Sequence, residues 1–419
     1  MPADGATVVE GRLVLDDRVA SGIIRVEDGR IASLELDEAA DAAAVAGDAP
    51  LPDEADRGPY IAPGFVDVHV HGWGGHDAMG PRGALDGMAR ALLRRGVTSF
   101  LPTAVTASLA DLVAFAAGVR AWLPDAPPDG AEPLGFNLEG PFISAARKGA
   151  QNPRHIRDPL GVAPDELERL VEGLRLMTVA PELPGALDLI AWLRRRGAAA
   201  SLGHSAATLA EALAGYRAGA RNTTHLFNAM TGVDHHAPGL AVAALTADDV
   251  WVELIADGHH VDPSLWPIIT RTKPAGQLVL VSDAIPLAGT AGRRATIGGL
   301  EVEVVGDRCT IAGTDILAGS VIALDSAVRN LVRRGTALPD AVAAASRNPL
   351  ALLGLADRGR LAVGQRADLV ELDADLAVRR VMRAGTWFAG AGAPRSGVGP
   401  AGSGARPAGS AARPAGSAG

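Results

Sequence analysis

The sequence contains one cysteine, Cys309, and two lysines, Lys148 and Lys273. A single cysteine excludes an internal disulfide and any metal site built from a cysteine cluster. No apolar run reaches the about 18 residues that a membrane-spanning helix needs. The N-terminus lacks a basic region followed by an apolar segment, so we expect no signal peptide. These absences predict a cytoplasmic protein that has no membrane partner.

Length and charge further limit the domain organisation and the kinds of partner that the protein can have. The 419 residues are enough for one large α/β domain and a small accessory domain, and 48% hydrophobic residues provide a sizeable core. A formal net charge of -9 argues against nucleic acid as a partner. An anionic substrate would therefore need a local cationic pocket.

Short apolar strands alternate with helical stretches between residues 63 and about 355, which favours parallel strands joined by helices. The candidate strands are Phe65–His71, Val97–Thr103, Leu134–Glu139, Leu176–Ala180, Ala198–His204, Ala220–His225, Val252–Asp257 and Gln277–Asp283. Eight such units predict an α/β fold of the (β/α)8 TIM-barrel type. An open doubly wound sheet is the alternative, but no G-x-G-x-x-G follows the first strand.

The two ends of the chain differ from this alternating region. Residues 1–62 and 356–390 contain short β-rich segments, and we expect them to form one small β-sandwich domain beside the barrel of residues 63–355. Within the first segment, residues 37–58 are acidic, alanine-rich and punctuated by proline, which indicates a loop. Residues 391–419 consist of Gly, Ala, Ser, Pro, Arg and one Val, which predicts a disordered tail.

An irregular region separates the last barrel strand from the C-terminal segment. Residues 299–305 and 308–311 indicate a hairpin, and helices are expected at about 320–335 and 338–354.

Residues of the types that bind metals lie at the ends of five predicted strands. They are His69 and His71, Glu139, His204, His225 and Asp283. The strand ends of a barrel meet at one face, so these side chains should converge there. One such residue alone is more often structural, but five agreeing strand ends predict a nitrogen and oxygen site for zinc or a similar divalent ion.

The residue types also indicate a division of roles. Glu139 has two carboxylate oxygens and can bridge two ions, one completed by His204 and His225 and the other by His69 and His71. Asp283 is the candidate general base and, later, the acid that protonates a leaving amine. A further metal ligand is the alternative role for Asp283.

Several stretches around these residues resemble the amidohydrolase superfamily and, within it, are similar to the N-acetylglucosamine-6-phosphate deacetylases. The matching stretches are Pro63-Gly64-Phe65-Val66-Asp67-Val68-His69-Val70-His71-Gly72, Leu138-Glu139-Gly140-Pro141-Phe142, Gly203-His204-Ser205, His225-Leu226-Phe227-Asn228-Ala229-Met230, Ala256-Asp257-Gly258-His259-His260-Val261-Asp262 and Val281-Ser282-Asp283-Ala284. The resemblance covers most of residues 6–390.

The resemblance implies metal-dependent hydrolysis of the N-acetyl group of an amino-sugar 6-phosphate, with zinc the favoured ion and iron or another divalent ion open. It implies that Glu139, His204 and His225 hold the principal ion, that His69 and His71 indicate a second, and that Asp283 is catalytic. The backbone amides of Asn228 and Ala229 would meet the phosphate. His260 matches a histidine that binds the sugar phosphate across a dimer interface, so a homodimer is implied.

Two positions depart from the pattern of that family. His236 stands where an arginine often binds the phosphate of the neighbouring subunit, and a histidine is only partly charged and cannot form arginine's bidentate contact. Gln151 stands where some members place a histidine near the substrate, although glutamine can still donate a hydrogen bond. The substrate or its affinity could therefore differ.

Other activities of the superfamily fit less well. Dihydroorotase-like members bridge their metals with a modified lysine at the end of strand four, where this chain has Thr178-Val179-Ala180-Pro181-Glu182. Adenosine-deaminase-like members lack the bridging glutamate that Glu139 matches. A deacetylase of another N-acylated sugar or amino acid stays open, as does a non-catalytic barrel that binds a sugar phosphate. Asp283 distinguishes a deacetylase from a non-catalytic binding protein, because a binding protein needs no general base at that position.

Overall fold

The structure, a computed structural model, describes residues 6–37 and 58–392. The strands are β1 (Thr7–Val14), β2 (Val19–Glu27), β3 (Arg30–Leu36), β4 (Tyr60–Pro63), β5 (Phe65–Val70), β6 (Gly72–Trp73), β7 (His76–Asp77), β8 (Val97–Ala104), β9 (Glu132–Pro133), β10 (Phe136–Glu139), β11 (Leu174–Val179), β12 (Ala199–Leu202), β13 (Asn222–Thr223), β14 (Trp251–Leu254), β15 (Leu278–Leu280), β16 (Arg294–Ile297), β17 (Leu300–Val305), β18 (Arg308–Ile311), β19 (Leu369–Leu372), β20 (Val378–Arg383) and β21 (Thr386–Ala389). The helices are α1 (Arg82–Leu93), α2 (Leu109–Trp122), α3 (Pro164–Val171), α4 (Ala186–Arg195), α5 (Leu209–Ala218), α6 (Leu240–Thr246), α7 (Trp266–Thr272), α8 (Leu324–Arg333), α9 (Leu338–Ala344) and α10 (Arg347–Leu352).

Eight parallel strands form the barrel, in the order β5, β8, β10, β11, β12, β13, β14, β15. The first and last strands close on each other through backbone hydrogen bonds beyond β15. The amide of Asp283 donates to the carbonyl of His69 at 2.9 Å, and the amide of His71 donates to the carbonyl of Ala284 at 2.8 Å. The predicted (β/α)8 barrel is confirmed.

The barrel strands are rich in apolar residues because both of their faces are covered. Every residue of β5 and of β8 is buried, which is typical of parallel strands enclosed by helices. Inside the barrel, Val68, Leu101 and Val279 belong to one apolar cluster. A larger cluster fills the layer between the strands and the helices. The site is therefore built on a frame of buried strands that apolar side chains cover on both faces.

Trp122, at the end of α2, is a main support of the outer layer. Its side chain is buried against Phe100 with ring centroids 6.3 Å apart, and its indole N–H donates to Asp86 at 2.8 Å. We expect Trp122→Ala to lower the free energy of unfolding by about 3–5 kcal/mol, because it leaves a cavity and removes apolar contacts. Urea denaturation measures this. Trp122→Phe is the control, since it keeps an aromatic ring and should cost clearly less. Equal losses in the two variants would contradict this role of the ring.

The small domain takes strands from both chain ends, as predicted. Its seven-stranded sheet has the order β21, β20, β19, β4, β1, β2, β3, in which β4 runs parallel to β1 and antiparallel to β19. Residues such as Leu13, Ile24 and Leu369 form its own apolar core. Of the predicted loop at 37–58 and tail at 391–419, residues 38–57 and 393–419 lie outside the described part of the chain.

The region between β15 and α8 contains more β-structure than the sequence predicted. The expected hairpin is present as β17 and β18, and β16 adds a third antiparallel strand. The second of the two expected C-terminal helices is divided into α9 and α10, because the chain leaves the helical conformation at Ser346, where φ is -134°. In the described residues, no helix has the length and apolar character needed to cross a membrane.

Candidate metal centre and active site

The barrel strands stop just before several of the site residues. β12 ends at Leu202, β13 at Thr223 and β15 at Leu280, whereas we predicted strands that run through His204, His225 and Asp283. These three residues have positive φ angles of 45°, 28° and 49°. A left-handed backbone conformation is costly for residues other than glycine and cannot continue a strand. The observed strands therefore end before the positions at which we predicted their ends.

Glu139 lies at the centre of the predicted metal ligands. Its Oε1 is 3.2 Å from Nε2 of His204 and 2.8 Å from Nε2 of His225. Oε1 also lies 3.3 Å from Nε2 of His69, and Oε2 lies 3.3 Å from Nε2 of His71. The side chains form two groups that share Glu139, one with His69 and His71 and one with His204 and His225.

Three of the four imidazoles are oriented by hydrogen bonds from the other ring nitrogen. Nδ1 of His69 is 3.0 Å from a carboxylate oxygen of Glu253, Nδ1 of His71 is 3.1 Å from the carbonyl of Thr103, and Nδ1 of His204 is 2.9 Å from the carbonyl of Arg147. These oxygens only accept hydrogen bonds, so each Nδ1 must donate. In the neutral rings, the Nε2 lone pairs therefore point toward Glu139.

This arrangement fits a cation. Nε2 of His204 and Nε2 of His225 are only 3.1 Å apart and both face Oε1 of Glu139, so one cation could contact all three atoms. Nε2 of His69 is buried and has no hydrogen-bond partner of good geometry among the described residues. Buried nitrogen and carboxylate ligands are those that zinc and its neighbours prefer.

The electrostatics agree with that conclusion. Burial lowers the pKa of His71, but hydrogen bonds and charges from Asp283 and Glu139 outweigh it and raise the pKa to about 9. The pKa of His69 is also raised, despite burial, by Glu139 and Glu253. The cluster therefore attracts positive charge strongly.

Asp283 lies beside the same cluster. Its Oδ1 is 3.1 Å from Nε2 of His71 and 3.6 Å from Nε2 of His69. Burial raises the pKa of this carboxyl group, but the hydrogen bond that the protonated His71 ring donates, together with the charges of both histidines, brings the pKa below its usual value. An ionised carboxylate at this position can accept a proton.

A cavity of about 310 Å³ opens over the cluster. Of the predicted substrate-binding residues, Gln151, Asn228, Ala229 and His260 line it. Gln151 is held on both sides, since its amide oxygen accepts from the backbone of Thr106 at 2.7 Å and its amide nitrogen donates to Glu139. His260 is oriented by Asp257, whose carboxylate accepts from Nδ1 at 2.7 Å.

The remaining predicted residues are placed differently. His236 is exposed and does not line this cavity, so any role it has in a partner's site stays a prediction. The amide of Asn228 already donates to the carbonyl of His225 at 3.0 Å. The amide of Ala229 has no partner among the described residues, and φ at Ala229 is 49°.

Sequence reasoning missed Glu253, which lies in β14 beneath the cluster. Its side chain is fully buried and accepts from Nδ1 of His69, from the backbone of His225 at 3.2 Å and from the side chain of Asn222 at 2.6 Å. The signal was a carboxylate inside the apolar strand Trp251-Val252-Glu253-Leu254. Buried charges are rare unless they are paired, so this residue could have been singled out.

Comparison with known proteins gives a consistent result. The model of the amidohydrolase family matches residues 60–389. The N-acetylgalactosamine-6-phosphate deacetylase of Escherichia coli O157:H7 is 37% identical over 86% of this chain and 93% of its own length. The N-acetylglucosamine-6-phosphate deacetylase of Bos taurus is 40% identical over 78% of this chain and 83% of its own length.

Solved structures agree with these sequence matches. The N-acetylglucosamine-6-phosphate deacetylase of Thermotoga maritima has a TM-score of 0.82 at 33% identity, covering 91% of this chain and 100% of that chain. A variant of the Mycobacterium smegmatis enzyme in complex with N-acetyl-D-glucosamine-6-phosphate has a TM-score of 0.81 at 35% identity, covering 91% and 99%. The family match and the similar sequences and structures extend over most of the chain, and the two groups of histidines that share Glu139 lie at the strand ends of the barrel. The protein therefore belongs to the amidohydrolase family.

Proposed function

We propose that this protein hydrolyses the N-acetyl group of N-acetylglucosamine 6-phosphate to give glucosamine 6-phosphate and acetate, a step in amino-sugar catabolism. The observation that carries the proposal is the buried cluster around Glu139, with Asp283 beside it, at the floor of an open cavity. Relatives that share most of the chain bear the corresponding deacetylase names.

The proposed metal ligands are His69, His71, Glu139, His204 and His225. Their nitrogen and oxygen donors favour zinc, and the two groups sharing Glu139 support two ions rather than one. When bound, a divalent ion supplies Lewis acidity and lowers the pKa of a water molecule.

The chain's own residues would carry the proton transfers. Asp283 accepts the proton of the attacking water and passes it to the amide nitrogen, so that the amine can leave. Gln151 holds Glu139 in place from the cavity side. His260, fixed by Asp257, presents its second ring nitrogen for hydrogen bonding to the sugar phosphate.

The phosphate group raises a separate question. Among the described residues that line the cavity there is no lysine or arginine. The amide of Ala229 and the imidazole of His260 are the candidate donors on this chain, and the proposed homodimer would add His236 of a second copy. The dimer and the cytoplasmic location remain predictions.

The test is acetate release by metal-loaded protein from N-acetylglucosamine 6-phosphate, beside unphosphorylated N-acetylglucosamine. We expect a strong preference for the phosphorylated sugar. Equal activity on both sugars, or none on either, would contradict the proposed substrate. A metal-dependent hydrolase of another N-acyl compound would then be the better assignment.

N-acetylgalactosamine 6-phosphate is a second candidate substrate. It is favoured by the relative from Escherichia coli O157:H7, which matches 86% of this chain and bears that activity in its name. The two sugars differ only in the orientation of one hydroxyl group, so kcat/KM should be measured for both in the same assay. The larger value identifies the preferred substrate.

Glu253 should control metal affinity through His69. We expect Glu253→Gln to weaken binding of one ion about 10- to 100-fold, because the charged partner that orients the imidazole is lost. Isothermal titration of metal-free protein measures the affinity. Asp67→Asn is the matched control, since Asp67 is an equally buried carboxylate that accepts from the backbone of His69 and not from its ring. Equal effects in both variants would contradict this role of Glu253.

A further inference from the structure

A second cavity, of about 680 Å³, lies beside the catalytic cavity. The two share part of their lining. The shared residues are His71, Val105, Asn152, Ile297 and Gly298. The second cavity therefore begins at the metal cluster itself, next to the imidazole of His71.

The residues shared by the two cavities lie near one end of the proposed substrate. His71 and Val105 follow β5 and β8, whereas the proposed sugar-binding residues Asn228 and His260 follow β13 and β14. In the strand order of the barrel, β8 and β13 are separated by four steps, so they lie on opposite sides. An amide whose sugar lies near Asn228 would therefore direct its acyl group toward Val105 and the second cavity.

Part of the lining of this cavity is apolar and suits a hydrocarbon chain. Leu85, Phe115 and Val119 contribute buried apolar side chains, and the small, partly buried Ala107 belongs to the same lining. Polar side chains also belong to the lining, among them the buried Thr103 and the exposed Arg82. The volume far exceeds that of the single methyl group of an acetyl substituent.

We propose that the second cavity is an acyl subsite, and that the protein hydrolyses amino-sugar phosphates whose N-acyl group is longer than acetyl. The inference rests on the proposed function. The chemistry is unchanged: water adds to the acyl carbon, the carbon–nitrogen bond breaks, and a carboxylate and an amine are released. Each methylene that is fully buried is expected to raise kcat/KM about fourfold.

The experiment compares N-acetyl, N-propionyl and N-butyryl glucosamine 6-phosphate. For the wild-type protein we expect kcat/KM for the butyryl compound to equal or exceed that for the acetyl compound. Ala107→Phe places a ring in the subsite, and should lower kcat/KM for the butyryl compound about tenfold while leaving that for the acetyl compound within about twofold. Ala114→Phe, on the exposed part of the same lining, is a second variant in case the first does not fold.

Ala110→Phe is the control, because Ala110 is exposed on α2 and does not line the cavity. This variant should leave kcat/KM unchanged for both the acetyl and the butyryl compound. Hydrolysis of the acetyl compound with at least about tenfold lower kcat/KM for the butyryl compound would overturn the acyl subsite but leave the proposed function intact. Equal losses of kcat/KM for the acetyl and butyryl compounds in the Ala107 and Ala114 variants would also overturn the acyl subsite. No hydrolysis of any of the three compounds would overturn the proposed function together with the subsite.

Discussion

Asp283→Asn is expected to lower kcat about 10²- to 10⁴-fold or more, while the protein keeps its metal. Asparagine has nearly the same shape but cannot take up a proton. Asp283 Oδ1 lies 3.1 Å from His71, close to the proposed metal ligands without belonging to either of the two ligand groups. The measurement combines steady-state acetate release with metal content by elemental analysis of the same sample.

Asp315→Asn is the matched control for this variant. Asp315 also lines the catalytic cavity, but its carboxylate contacts the guanidinium of Arg308 at 3.2 Å and is almost fully exposed. Its replacement should leave kcat nearly unchanged. Near-normal turnover by Asp283→Asn would remove Asp283 from the catalytic role, and a parallel loss of metal would assign it to metal binding.

Glu139→Gln should have an equally large effect through a different cause. Glu139 is the only residue shared by the two ligand groups, and its two oxygens lie 2.8–3.3 Å from four imidazole nitrogens. Loss of its charge weakens both groups at once. We expect metal content to fall toward zero, and kcat/KM to fall on the order of 10³-fold or more, because Lewis-acid catalysis is worth several kcal/mol.

His71→Asn provides the comparison for that result. His71 belongs to only one of the two groups, so this variant should lose one ion and keep the one associated with His204 and His225. Metal titration of both variants distinguishes the two cases. Retention of full metal content by Glu139→Gln would show that the carboxylate does not bridge the two groups.

The barrel could be predicted from the sequence for a physical reason. Strands buried on both faces are rich in apolar residues, and β5 and β8 show this enrichment although each also buries a few polar side chains. Parallel strands place their carboxyl ends on one face. The convergence of His69, Glu139 and His225 therefore followed from their positions in the chain, before any distance was known.

The exact ends of the strands could not be predicted in this way. His204, His225 and Asp283 adopt left-handed backbone conformations, which local residue preferences do not favour. Contacts that are distant in sequence hold them there, such as the hydrogen bond from the amide of Asp283 to the carbonyl of His69 at 2.9 Å. The predicted strands therefore extended beyond the ends of the observed strands.

The role of Glu253 was likewise decided by tertiary structure. It is 184 positions from His69 in the chain, and their contact at 3.0 Å exists only because the barrel brings β5 and β14 close to the same site. The exposure of His236 and the cavity beside His71 also depend on how loops from separate strands pack. The sequence by itself determined which residue types reach the face of the barrel, because strand polarity and apolar periodicity are local properties. Only the tertiary structure decided which of them touch, because those contacts join residues far apart in the chain.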